Sequence, residues 1–147
     1  MNPFPNNPGK QLQEQLTLRN DSEEIPRLGE FVKDFCSRLS LDPKFASGLR
    51  LALEETVVNV MNYAYPPDET GEIQITAESD FSEVRFTVED SGIPFDPTAV
   101  LSADITLDAR TRPIGGLGIF LTRRLMDTVS YCRKQQYNVL TLTKSIA

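Results

Sequence analysis

The chain has 147 residues, of which 39% are hydrophobic, so it can bury the core of one globular domain without disulfides or a structural metal. Its formal net charge of -6 argues against a direct nucleic-acid partner, while the absence of His and the separation of Cys36 from Cys132 argue against a zinc site and a His-based triad. No apolar stretch approaches the roughly 20 residues of a membrane span, and the polar N-terminus lacks a signal peptide, so we expect a cytoplasmic protein that contacts no membrane.

The first forty residues predict a lead-in, a strand and a helix. Residues 1–9 hold three prolines and three asparagines and are expected to form a flexible lead-in to a single domain over residues 10–147. Leu12, Leu16 and Leu18 alternate in part with polar residues, which predicts a strand over residues 10–19. Apolar residues then recur at steps of three and four, which predicts a helix over residues 22–39 with Pro26 in its first turn.

The rest of the chain predicts two more helices and four more strands. A second helix runs from Asp42-Pro43 to Pro66-Pro67, and strands follow over residues 71–79 and 82–90. Residues 94–113 show little periodicity and are interpreted as a lid. A third helix over residues 116–127, with Leu117, Phe120, Leu121 and Leu125 buried, precedes strands at 128–133 and 138–144. This order predicts a two-layer α/β sandwich with helices on one face of a mixed, mostly antiparallel sheet.

Glu55 and Asn59 are the first candidate functional pair. They stand four residues apart within the second helix and therefore lie on one face, where both can point at one ligand. The neighbouring Glu54 is turned about 500° from Asn59 along the helix and points elsewhere. Two simpler interpretations stay open: Glu55 as a solvated carboxylate, and Asn59 as a buried amide that bonds across helices.

Two glycine-bearing segments follow this helix. Residues 90–97 read DSGIPFDP and residues 113–119 read PIGGLGI. Taken alone, the first is typical of a turn that ends a strand and the second of a hinge before a helix. GGLG has neither the lysine of a P-loop nor the spacing of a dinucleotide-binding turn. A carboxylate and an amide on a helix, an aspartate on a turn and a glycine hinge at a helix start together suggest a nucleotide-phosphate site with a metal.

These three segments resemble the N, G1 and G2 boxes of the GHKL ATPases, which include the catalytic domains of histidine kinases. The resemblance covers essentially residue 10 to the C-terminus and implies a Bergerat-type α/β sandwich that binds ATP and Mg2+. It implies that the side-chain oxygen of Asn59 ligates Mg2+, an oxygen-seeking cation. It also implies that Glu55 activates the attacking hydroxyl or water.

The resemblance assigns the base-binding residues as well. Asp90 matches the aspartate that accepts a hydrogen bond from the adenine amino group, and Gly92 matches the glycine that lets the chain pass close to the base. The family usually has a threonine beside the adenine at the start of the last strand. Asn138 occupies that place here, with Thr141 as the second choice. Asp96 either caps local backbone or contacts the nucleotide.

The phosphate-binding residues are expected in the second glycine box. Backbone N–H groups at a helix start would meet the phosphate oxygens there, and the residues are Gly115, Gly116, Leu117 and Gly118. Related kinases often have a basic residue just before this box, where the present chain has Ile114. Arg112 or Arg110 would then supply the positive charge for the γ-phosphate, or both are solvated lid charges.

The chain is similar in length to the stand-alone members that act as anti-sigma-factor serine kinases. The resemblance therefore implies a kinase of signal transduction and transcription regulation, which binds a sigma factor or similar regulator and phosphorylates a small anti-sigma antagonist on serine. Autophosphorylation on His is excluded, because the chain has none. A non-catalytic ATP-dependent protein-binding module and a weak ATPase are the alternatives, and the sequence leaves open whether the protein is a homodimer.

Overall fold

The computed structural model describes residues 12–66, 68–98 and 121–146. The main elements follow in the order β1 (Leu12–Arg19), α1 (Ile25–Arg38), α2 (Pro43–Tyr63), β2 (Glu72–Ser79), β3 (Glu83–Asp90), β4 (Thr128–Lys134) and β5 (Tyr137–Ser145). A 3-10 turn at Ser22–Glu24 precedes α1, and residues 121–125 are helical. The predicted lead-in and most of the predicted lid lie outside the described residues.

The strands form one sheet in the order β1-β2-β3-β5-β4. All four pairings of the described strands are antiparallel, so this part of the sheet contains no parallel pair where the sequence predicted a mixed sheet. The two-layer α/β fold class is confirmed. In the register of β3 with β5, Asp90 pairs with Asn138, which places the end of β3 beside the start of β5.

The sheet buries one face under the helices. Successive side chains of a strand point to opposite faces, and β2 and β3 alternate between buried and less buried positions accordingly. The buried face of these two strands packs in the same core as α1 and α2, and its members are Ile73, Ile75, Ala77, Val84, Phe86 and Val88. The predicted strand pattern is therefore confirmed for both.

Helices α1 and α2 match their predicted spans with one difference. The first α-helix begins at Ile25 rather than at residue 22, because Asp21 caps a 3-10 turn by accepting a hydrogen bond from the Glu23 N–H. Pro26 lies in the first turn of α1, as predicted. In α2, the Asp42 carboxylate accepts from the Lys44 N–H at 2.7 Å and caps the helix start.

The helix before β4 ends earlier than predicted. Residues 121–125 are helical, whereas the prediction extended the helix to residue 127. In the described part of this helix Thr122 is fully buried, while Leu121 and Leu125 are half-buried. Leu125 packs against the hydrophobic core, so the predicted buried stripe is confirmed only in part. The hydroxyl of Thr122 donates to the carbonyl oxygen of Ala52 at 3.4 Å, which attaches this helix to α2.

Within the three described ranges, no helix combines the length and the apolar character needed to cross a membrane.

Candidate functional site

Helix α2 carries Glu55 and Asn59 one turn apart. Asn59 is 4% exposed, and its Nδ2 atom has no hydrogen-bond partner among the described residues. Glu55 is half-buried and forms no ion pair there, whereas Glu54 lies 4.0 Å from the Nε atom of Arg50. The structure therefore separates the two adjacent glutamates as the helix rotation predicts.

The Nδ2 atom of Asn59, which has no hydrogen-bond partner in the described part of the chain, is the unusual feature of this helix. A buried polar atom without a partner costs about 1–3 kcal/mol of stability, so most native proteins satisfy it. The simpler interpretation of Asn59, an amide that bonds across helices, is wrong for Nδ2 within the described part of the chain. This arrangement is consistent with a binding site in which a ligand supplies the missing partner.

The end of α2 meets the turn that follows Asp90. The backbone N–H of Ile93 donates to the carbonyl oxygen of Ala64, the C-cap of α2, at 2.8 Å. The rings of Tyr63 and Phe95 stack with centroids 5.4 Å apart and an interplanar angle of 24°. The helix that presents Glu55 and Asn59 is thus joined directly to the aspartate turn.

Gly92 has a structural reason to be glycine. A Cβ atom built there would lie 2.2 Å from the carbonyl oxygen of Ala64, a distance that only a backbone shift could relieve. The sequence-based reason, a close approach to a base, stays a prediction. The observed reason is the contact between this turn and the end of α2.

Gly92→Ala and Gly48→Ala are therefore expected to change stability in opposite directions. The first forces a clash with Ala64 and should cost roughly 1–3 kcal/mol. A Cβ on Gly48, inside α2, would meet the Cδ2 atom of Leu125 at an ordinary 3.7 Å, so this change should stabilise the helix by about 0.5–1 kcal/mol. Urea unfolding of both variants measures the difference, and equal destabilisation would contradict the assignment.

Asp90 is buried at the end of β3, with 3% of its surface exposed. Its Oδ1 atom accepts hydrogen bonds from the Gly92 N–H at 2.9 Å and from Nδ2 of Asn138 at 2.8 Å. Burial raises the pKa of the carboxyl group, while these two hydrogen bonds and the charge of Arg133 oppose the increase. Neither of these two hydrogen bonds uses Oδ2, so they leave that atom available to accept from a ligand as far as the described residues show.

The raised pKa of Asp90 predicts that the stability of the protein depends on pH. Between its ordinary pKa of 3.8 and the higher native pKa, the native state binds more protons than the unfolded chain, so stability falls as pH rises through that window. Asp90→Asn keeps an oxygen for both hydrogen bonds and cannot ionise. We expect the variant to be at least as stable as the wild type at neutral pH, with the difference disappearing below 3.8. Urea unfolding across this range tests it, and a less stable variant at neutral pH would contradict it.

Asn138 lies on the helix-facing side of β5, beside Asp90. It is 4% exposed and shares its face with the buried Leu140 and Leu142. Thr141, the second choice of the sequence analysis, is three positions further along β5, and its side chain therefore points to the opposite face of the sheet from Asn138. It does not lie beside Asp90, so this second choice is wrong.

Tyr131 and Arg133 in β4 also reach the aspartate turn, although the sequence analysis did not select them. The Tyr131 hydroxyl donates to Oδ1 of Asn138 at 2.5 Å, and Nη1 of Arg133 donates to the carbonyl oxygen of Gly92 at 3.0 Å. Val129, Tyr131 and Arg133 alternate along the strand, and that alternation is the only sequence signal that they share a face.

Comparison with known proteins assigns the chain to a family. The model of the histidine kinase-like ATPase domain matches residues 18–144. The chain belongs to this family. Over 139 residues it is 32% identical to the serine/threonine-protein kinase BtrW of Bordetella bronchiseptica, a match that covers 90% of this chain and 98% of BtrW. Over 136 residues it is 28% identical to the serine-protein kinase RsbW of Listeria monocytogenes, covering 90% and 85% of the two chains.

Solved structures show the same fold. The crystal structure of the RsbU and RsbW domains of Rv1364c from Mycobacterium tuberculosis matches with a TM-score of 0.65 at 16% identity, over 91% of this chain and 32% of the other. The predicted GHKL family and the predicted relation to serine kinases are both confirmed. ATP is the ligand that membership of an ATPase family implies.

For this histidine kinase-like ATPase domain, the structure describes only part of the predicted site. Glu55, Asn59, Asp90, Gly92 and Asn138 lie in the described ranges, and their roles toward a nucleotide stay predictions. The remaining predicted residues lie outside the described ranges, and they are Arg110, Arg112, Gly115, Gly116, Leu117 and Gly118.

Asp96 caps local backbone, one of the two roles that the sequence allowed. Its Oδ1 atom accepts from the Thr98 N–H at 2.9 Å and from the Thr98 hydroxyl at 2.5 Å.

The two cysteines differ in their surroundings. Burial raises the pKa of the Cys36 thiol to about 11, which marks it as an unreactive core side chain, whereas Cys132 is exposed.

Proposed function

We propose that this protein is an ATP- and Mg2+-dependent kinase of the anti-sigma-factor type, which transfers the γ-phosphate of ATP to a serine of a small antagonist protein. Family membership and similarity to serine-protein kinases support the proposal. The observation that carries it is the buried Asn59 amide, whose Nδ2 atom has no partner among the residues that the structure describes, one turn after Glu55 on the helix whose end contacts the Asp90 turn.

Asn59 suits a magnesium site by its chemistry. Mg2+ prefers oxygen ligands and takes few of them from the protein, the rest being water and phosphate oxygens. An Asn ligand presents its carbonyl oxygen to the metal and leaves Nδ2 as a donor for a neighbouring acceptor, which the described fold does not provide. Asn59 would hold the ion by its side-chain oxygen, and the ion would supply positive charge that offsets the charge of the transferred group.

Glu55 acts as the general base in this proposal. Its carboxylate accepts the proton of the incoming serine hydroxyl, the serine oxygen forms a bond to the γ-phosphorus, and the bond between that phosphorus and the β–γ bridging oxygen breaks. The products are phosphoserine and ADP. Oδ2 of Asp90 accepts a hydrogen bond from the adenine amino group, because Oδ1 is already occupied by Gly92 and Asn138.

The protein partners are proposed from the family resemblance. They are a small antagonist protein as the phosphate acceptor and a sigma factor or similar regulator as the second partner. A homodimer and a cytoplasmic location also stay predictions.

The proposal is tested by incubating the wild-type protein with Mg-ATP and purified candidate antagonists from the same genome. Phosphoserine detected by mass spectrometry, with matching ADP release and no product when Mg2+ is chelated, is the expected result. Tight ATP binding without phosphoserine on any candidate would instead indicate an ATP-dependent binding module. ADP and free phosphate without a phosphoprotein would indicate a weak ATPase.

A further inference from the structure

The side-chain amide of Asn138 uses its full hydrogen-bonding capacity inside the protein. Nδ2 donates to Oδ1 of Asp90 and to the carbonyl oxygen of Ile93, both at 2.8 Å. Oδ1 accepts from the Phe95 N–H at 3.1 Å and from the Tyr131 hydroxyl at 2.5 Å. An Asn amide has two donors and two acceptor positions, so none remains for a ligand.

The partners also fix which end of the amide is which. The carboxylate of Asp90 and the carbonyl of Ile93 accept hydrogen bonds, whereas the Phe95 N–H can only donate. The reversed amide would place two acceptors against an oxygen and a donor against a nitrogen. This orientation therefore follows from the backbone that surrounds the side chain.

The turn that Asn138 holds has a hydrogen-bond acceptor for each of its N–H groups. Ser91 donates to the hydroxyl of Tyr65 at 3.1 Å, Gly92 to Oδ1 of Asp90, Ile93 to the carbonyl of Ala64, and Phe95 to Asn138. Pro94 has no N–H group. Each backbone N–H group of residues 91–95 is thus satisfied by a protein atom.

We propose that Asn138 is a positioning residue, which fixes the Asp90 carboxylate and the turn of residues 91–95 for nucleotide binding, and that it does not contact the base itself. The proposal rests on the proposed function, since it takes Oδ2 of Asp90 as the atom that meets the adenine amino group. Asn138 holds Oδ1 of Asp90 from one side and Gly92 holds it from the other, and neither contact uses Oδ2, the acceptor that remains among the described contacts of this carboxylate. Tyr131 acts through Asn138 by fixing its oxygen.

Asn138→Ala is the main test variant. Alanine retains the backbone of the strand and supplies none of the four side-chain hydrogen bonds. We expect its affinity for ATP to fall about tenfold, as when a hydrogen bond to a charged group is lost. Purine riboside triphosphate, which lacks the amino group, should lose much less affinity, because the variant disturbs the contact that this analogue never makes.

Amide hydrogen exchange supplies a readout that needs no nucleotide. In Asn138→Ala, the Phe95 amide should exchange faster by a larger factor than the Ile93 amide, which bonds to Ala64 rather than to Asn138. The matched control is Thr141→Val, a change in the same strand on the opposite face, which should alter neither exchange nor affinity. Should Asn138→Ala fail to fold, Tyr131→Phe removes a single hydrogen bond to Asn138, and the same effects are expected at a few-fold size.

Three results would overturn the proposal: unchanged exchange at Phe95, unchanged affinity for ATP, or equal loss of affinity for ATP and for purine riboside triphosphate. If the wild-type protein binds no ATP, the proposed function fails, and hydrogen exchange still decides the structural part. Selective deprotection of Phe95 would then support the positioning of the turn, and its absence would refute it.

Discussion

Asn59→Leu is expected to abolish the Mg2+-dependent part of ATP binding while leaving the protein at least as stable as the wild type. The two side chains have similar shapes, but leucine has no oxygen for a metal. Because loss of even an indirect contact to a metal ligand costs 10–100-fold in metal affinity, loss of the ligand should weaken Mg-ATP binding by roughly 100-fold or more. Titrations of ATP and ADP with and without Mg2+ measure this effect.

The same substitution should raise the free energy of unfolding. It removes the buried Nδ2 atom that lacks a partner in the described residues, and leucine is the better helix former. The expected gain is about 0.5–2 kcal/mol, measured by urea unfolding. A gain in stability with a loss of function is the behaviour of a residue kept for its ligand.

Asn62→Leu is the matched control, because Asn62 is exposed on the same helix. It should change neither Mg-ATP binding nor stability by more than about 0.5 kcal/mol. If Asn59→Leu binds Mg-ATP like the wild type, the metal assignment is wrong. If it unfolds the protein, the amide is a structural group and the interpretation of Nδ2 fails.

The elements that the sequence predicted well are those with local patterns. Helix α2 has a cap at Asp42, a proline in its first turn and apolar residues at helical spacing, so its span and the relative directions of Glu54 and Glu55 followed from neighbouring residues alone. The start of α1 was placed three residues early because a cap at Asp21 serves a 3-10 turn as well as an α-helix.

The contacts that the sequence did not predict join distant parts of the chain. Asn138 bonds to Asp90 and Phe95, which are 48 and 43 positions away, and no local pattern encodes such a pairing. It depends on β5 lying between β3 and β4, an order that follows from the whole sheet rather than from any one strand. The family resemblance located Asn138 near the base, but its hydrogen bonds support a different role.

Gly92 is a second case in which a local sequence pattern does not reveal a contact between distant parts of the chain. Its sequence context, between Ser91 and Ile93 in a turn, explains a glycine through conformational freedom. The second reason is the 2.2 Å that would separate a Cβ atom at this position from the Ala64 oxygen, and it depends on how α2 ends against the sheet. A motif can therefore identify a required residue without identifying the contact that requires it.

Glu55→Gln is expected to remove phosphotransfer while ATP binding and stability are retained. Glutamine keeps the shape of the side chain but cannot accept the proton of the serine hydroxyl, and loss of a general base lowers kcat by roughly 100- to 10,000-fold. ATP affinity should be unchanged or slightly higher, since a negative charge near the phosphates is removed. Single-turnover transfer to an antagonist protein and an ATP titration measure the two effects separately.

Glu54→Gln is the control for this prediction, because it makes the same chemical change one position away. Glu54 pairs with Arg50 at 4.0 Å near the surface, so its loss should cost no more than about 1 kcal/mol of stability and leave phosphotransfer unchanged. Equal loss of activity in both variants would show that charge on this part of α2 matters and that Glu55 is not the base. Unchanged transfer in Glu55→Gln would assign the base elsewhere, whereas normal partner binding by a chain that never transfers phosphate would favour the binding module.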